Sequence, residues 1–140
     1  MPNQPLLAPI VALALWTAVM WAWMYATRIP AIVKARMVLD SDAPRGEQMA
    51  TLPPRVRWKA DNYNHLMEQP TVFFAIVLVL ALLDDRSSSS LAMAWGYVGL
   101  RVVHSLVQVL VNHIQTRFAV FSLSSLVLFG LMYNAAMRVF

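Results

Sequence analysis

Nine polar and ionisable side chains stand where the surrounding sequence is oily, and their spacing is helical. Arg57, Asp61, Asn64, His65 and Glu68 fall at i, i+4, i+7, i+8 and i+11, which puts them on one stripe of a helix. Arg101, His104 and Gln108 fall at i, i+3 and i+7 on another. Arg117 and Phe121 open the last apolar run. An ionisable group at the centre of a membrane helix costs about 2.5–3.5 kcal/mol on insertion scales, so such groups turn inward and meet one another or a ligand. A site built from guanidinium, imidazole and carboxylate groups in that setting can hold an anionic, polar molecule. It also meets apolar reactants that arrive through lipid.

The elements that must position these groups follow from composition. Of 140 residues 59% are hydrophobic and 13% charged, and the mean hydropathy is +0.57. Soluble domains average about 45–50% apolar and about 25% charged, so an excess of this size must face lipid. The length suits one domain. Cysteine is absent, which excludes disulfides, thiolate metal sites and a cysteine nucleophile. The net charge of +4 comes mostly from a loop beside a membrane surface, which speaks against nucleic acid as a partner.

The hydropathy pattern predicts an all-α membrane protein, a four-transmembrane-helix up-down bundle forming one domain over 1–140, with helices at about 6–27, 54–83, 91–114 and 118–140. The uncharged run Leu6 to Tyr25 has no preceding Lys or Arg, so it reads as a retained helix and not as a cleaved signal. Pro70 predicts a kink in the second helix. Gln115, Thr116 and Arg117 are the expected turn between the last two helices. Arg28, Lys34, Arg36, Arg45, Arg55, Arg57 and Lys59 flank the first loop and Arg117 the third, against only Arg86 and Arg138 on the other side. The positive-inside rule then places both termini outside and the polar cluster in the cytoplasmic half of the membrane.

In this order and spacing the residues resemble the family of membrane-associated proteins in eicosanoid and glutathione metabolism (MAPEG), over essentially the whole chain. Arg101-Val-Val-His104, Gln108, Arg117 and Phe121 are similar to the family's Arg-x-x-His pattern with its downstream aromatic, Arg and Tyr. Asn64 to Pro70 followed by Phe73 is similar to its Asn-x-x-Glu segment. The resemblance implies a bacterial inner-membrane homotrimer among membrane lipids that binds glutathione and acts as a transferase or peroxidase on lipophilic electrophiles or lipid hydroperoxides, in detoxification. Carried over by position, Arg117 stabilises the thiolate as the catalytic group. Glu68 meets the amino group, Lys34 a carboxylate, and Asn64, His65, Arg101, His104, Gln108 and Phe121 complete the binding site. The sequence departs from the family pattern at four kinds of position. Asp61 replaces an Arg, His65 stands at the Asn, Phe118 replaces a serine of some members, and Gln108 and Phe121 replace Tyr.

Rival chemistries leave weaker traces. The polar groups could simply glue helices together, for instance Glu68 with Arg101, and the chain would then be a non-catalytic module binding a lipid or partner helix. His65 and Glu68 at i, i+3 resemble half of a helical metal site, but too few carboxylates accompany them, so no metal is expected. A nucleophile elbow and a glycine-rich phosphate loop are both absent from the sequence.

Overall fold

The computed structural model describes residues 3–140. These residues form six helices: α1 (Leu7–Lys34), α2 (Glu47–Ala50), α3 (Pro54–Leu66), α4 (Gln69–Leu82), α5 (Ser88–Leu110) and α6 (Ile114–Val139). Among the described residues three stretches are long and apolar enough to cross a membrane: α1, the α3–α4 stretch Pro54–Leu82, and α6. The 23-residue α5 is of similar length but carries a serine-rich start and buries Arg101, His104, Ser105 and Gln108, which lowers its mean hydropathy. Apolar side chains of α1 (Val11, Leu15, Val19) and α6 (Leu123, Leu126, Phe129) point outward. An all-helical chain that turns such faces to its surroundings is an integral membrane protein, because only lipid accepts them without cost.

Side-chain hydrogen bonds at one end fix how the helices alternate. The Gln4 amide, just before α1, donates to the Ala81 carbonyl and the Asp84 carboxylate at the close of α4, at 3.3 and 3.2 Å. Arg138, at the close of α6, donates to Asp85 in the α4–α5 turn at 2.8 Å. Asp85 also accepts the Ser87 N–H at 2.9 Å, and Ser87 caps α5 by accepting the Ser90 N–H. Burial pushes the Asp85 carboxyl up, but the bonds from Ser90 and Ser87 and the Arg138 charge outweigh it and hold the group below its ordinary value. The opposite end carries the loop over residues 35–53 and the α5–α6 turn.

The core between these ends is built from Leu13 and Met20 of α1, Phe73, Val77 and Leu80 of α4, Ala94 and Tyr97 of α5, and Leu128 and Leu131 of α6. Phe73 and Tyr97 stack with centroids 4.5 Å apart. Helices α5 and α6 make the most extensive contact, and Gly130 of α6 lies beside the Met93 side chain of α5. A Cβ added at Gly130 would sit 2.8 Å from the Met93 sulfur, so the flexible Met93 side chain would have to shift.

Two local features depart from the sequence expectation. The segment expected as one helix over about 54–83 is two, because regular geometry fails at Met67 and Glu68. Pro70 has no N–H to continue the ladder, and the irregular backbone of Glu68 (φ −93°, ψ −100°) precedes a helix that restarts at Gln69. The expected turn Gln115–Arg117 is instead Val111–His113. Asn112 takes the left-handed conformation there, with φ 55°, and the His113 ring caps α6 at Thr116. Arg117 therefore lies inside the first turn of α6 and not in the connection.

Candidate functional site

The break at Glu68 frees backbone at the end of α3. Arg101 Nη2 donates to the His65 carbonyl at 3.3 Å, a cation capping a helix C-terminus. The same Nη2 stands 2.6 Å from His65 Nδ1. A guanidinium has no lone pair to offer, so Nδ1 accepts and the imidazole carries its proton on Nε2. Arg101 is wholly buried, and two groups of His65, its ring Nδ1 and its carbonyl, thus orient this charged side chain at the heart of the bundle.

The His104 ring, from α5, stacks on the His65 ring with centroids 4.8 Å apart and planes 20° from parallel. Phe121 of α6 meets His65 edge-on at 5.4 Å, and its ring lies 5.9 Å from the Arg101 guanidinium carbon. These three helices enclose a cavity of about 220 Å³ lined by His65, His104, Ile114, Arg117, Phe118 and Phe121. Arg117 donates through Nη1 to Asn112 Oδ1 at 2.6 Å, while its Nε is buried without a hydrogen-bond partner. One edge of the guanidinium is therefore held by the turn and the remainder is unspent. Phe118 is 70% exposed and Ile114 75%, so the cavity opens between apolar side chains onto the outer face of the helix bundle.

Of the residues singled out from sequence, His65, His104, Arg117 and Phe121 line this cavity, and Arg101 supports it from behind. Gln108 is buried but lies outside the lining, its Oε1 unpartnered. Glu68 is exposed. Among the described residues it makes no ion pair, so the suggested Glu68–Arg101 pair is replaced by Arg101 on His65. Lys34 is exposed at the end of α1, and Asn64 lines a different cavity. Among the described residues no group of three His, Cys, Asp or Glu side chains is placed to hold a metal ion.

Sequence reasoning missed two contributors. Asn112 had a signal: a polar Asn-His pair between two apolar runs marks a turn, and Asn tolerates left-handed backbone. Gln69 had none. Its amide donates to Ser125 of α6 at 2.8 Å and its carbonyl accepts the Tyr97 hydroxyl of α5 at 3.3 Å, pinning the restart of α4 beside the site.

The family model described as the MAPEG family matches residues 6–137. The chain belongs to the MAPEG family. That family includes glutathione transferases and related membrane proteins. No curated protein and no solved structure matches the chain.

Proposed function

We propose that this MAPEG member is a glutathione-dependent membrane transferase or peroxidase acting on lipophilic electrophiles or lipid hydroperoxides. The single observation that carries the reading is the cavity in which Arg117 keeps unpaired guanidinium edge beside two imidazoles and an apolar mouth. The lining fits the ligand in kind: a cation and ring N–H donors suit an anion, and Phe118 and Ile114 suit an oily reactant. Glutathione, when bound, supplies the thiolate nucleophile. Arg117 holds that negative charge at the sulfur, favouring the anion at neutral pH. His65, with its tautomer set by Arg101, offers an Nε2–H donor, and Phe118 with Ile114 excludes water from the reacting pair.

In this proposal all four long segments, α5 included, cross a bacterial inner membrane. Both termini lie outside, and the site is in the cytoplasmic half. The exposure of Glu68 and Lys34 supports a homotrimer in which a neighbouring copy brings these groups to the ligand, because an uncompensated carboxylate facing lipid is costly.

Detergent-solubilised protein mixed with glutathione and a chromogenic aryl halide tests the activity. Turnover above the buffer rate is expected, and Arg117→Ala should abolish the thiolate absorbance that glutathione acquires on binding. Calorimetric binding without turnover would make the chain a non-catalytic module, and neither would remove glutathione from the account.

A further inference from the structure

A second cavity, also about 220 Å³, lies between the end of α1, the loop helix α2 and the start of α3. Arg28, Arg57, Asp61 and Asn64 line it, with Met49 and Ala60 as apolar floor. It shares no lining residue with the cavity around Arg117. At ~30 Å³ per water, the space corresponds to about seven waters, enough for a small polar group and too little for a folded segment.

Its charge pattern is specific. Two guanidiniums come from different helices, and among the described residues neither is within ion-pair distance of a carboxylate. The Arg28 Nε is buried with no hydrogen-bond partner, an arrangement that an oxyanion completes. Asp61, also unpaired, adds a negative acceptor, and Asn64 an amide. A purely anionic ligand would meet repulsion from Asp61; a zwitterion meets none. No aromatic ring lines the cavity, so it lacks the cage that favours a quaternary ammonium, whereas a primary ammonium can donate to Asp61 and Asn64.

Position points to the lipid as the source. Arg28 is followed by Ile29 to Val33, still apolar, and Ile29 and Val33 are exposed at 56% and 70%. Trp21 and Tyr25, in edge contact at 5.1 Å and both exposed, precede it by one to two turns, the pattern of a membrane–water boundary. A headgroup in the cavity would leave its acyl chains along the outer face of α1.

We propose that this cavity binds a zwitterion bearing an oxyanion and a primary ammonium, namely the phosphoethanolamine headgroup of a membrane lipid, with Arg28 and Arg57 on the phosphate and Asp61 and Asn64 on the ammonium. The reading stands independently of the glutathione proposal. Native mass spectrometry of the full-length protein in detergent, titrated with phosphatidylethanolamine, phosphatidylcholine or phosphatidylglycerol of identical chains, tests it. Phosphatidylethanolamine is expected to bind at least about tenfold more tightly than phosphatidylcholine, the equivalent of about 1.4 kcal/mol. Arg28→Gln should weaken all three lipids. Asp61→Asn, at an exposed position that folding does not depend on, should erase the preference for ethanolamine and strengthen phosphatidylglycerol. Equal binding of the three lipids, or an unchanged preference in Asp61→Asn, would overturn the proposal. Displacement of the lipid by glutathione would also overturn it, by assigning the cavity to that ligand. Soluble phosphoethanolamine binding as tightly as the lipid would overturn the choice of a membrane source.

Discussion

Asn112 is the sharpest place to test whether the turn between α5 and α6 sets the chemistry. Its Oδ1 accepts from Arg117 Nη1 at 2.6 Å, and its backbone sits at φ 55°. Asn112→Gly removes the amide and keeps the backbone, because glycine adopts that conformation without strain. Asn112→Ala would add a backbone cost of about 1–2 kcal/mol and confuse the reading. A hydrogen bond to a charged group contributes about 1.5–3 kcal/mol, and Arg117 is only half-buried, so the lower end applies. What catalysis loses is the ordering of one long side chain, about 0.5–1.5 kcal/mol. That corresponds to a fall of about 2- to 12-fold in kcat/KM. Asn112→Asp acts oppositely on structure, holding Arg117 more firmly while offsetting its charge, and should raise the pKa of the bound thiol. The assays are kcat/KM with an aryl halide at subsaturating glutathione and the ultraviolet titration of the bound thiolate. If both stay at wild-type values in Asn112→Gly while Arg117→Ala loses the thiolate, the turn does not position the guanidinium and the reasoning fails.

Other outcomes follow from the same geometry. Asp85→Asn should destabilise the detergent-solubilised protein by about 2 kcal/mol, since Asp85 is buried but its partner Arg138 is 42% exposed and partly screened. Because the folded carboxyl lies below its ordinary value, its contribution is complete above the ordinary Asp pKa of ~3.9 and disappears as pH falls through the lower folded value; thermal melts over that acid range should show the loss in wild type and not in Asp85→Asn. His65→Ala strips Arg101 of its 2.6 Å acceptor and should cost about 2–3 kcal/mol, and adding Arg101→Leu should recover most of it, because the buried charge then goes too; a double variant no more stable than the single one would contradict this. Phe118→Ser changes a side chain that is 70% exposed, so stability should move by less than about 0.5 kcal/mol while the added hydroxyl lowers the bound thiol's pKa, and a titration identical to wild type would rule that out.

Much of this was legible in the chain itself. The excess of apolar residues dictated lipid-facing helices, and the spacing of Arg101 and His104 put both on the buried face of α5, where they are found. The family followed from the order and spacing of a few polar residues, and the match over residues 6–137 agrees. Pro70 announced a defect in the second segment. Its consequence was not legible, because where a helix breaks depends on what the freed carbonyls meet; here the His65 carbonyl meets Arg101.

Charge alone invited the pairing of Glu68 with Arg101, since opposite signs at similar depth attract. The tertiary structure chose otherwise: the break at Glu68 leaves that carboxylate outside while His65, three residues earlier, faces the bundle. Spacing on an unbroken helix assigns Asn64, His65 and Glu68 to one stripe, but the break turns Glu68 away, and within α3 the neighbours Asn64 and His65 face different cavities because the packing of α1 and α5 divides that stripe. Sequence by itself determined that this is a membrane helix bundle with polar groups inside. Only the packing of α3, α5 and α6 decided which of those groups share a cavity, because direction around a helix axis is set by contacts between elements and not by periodicity within one.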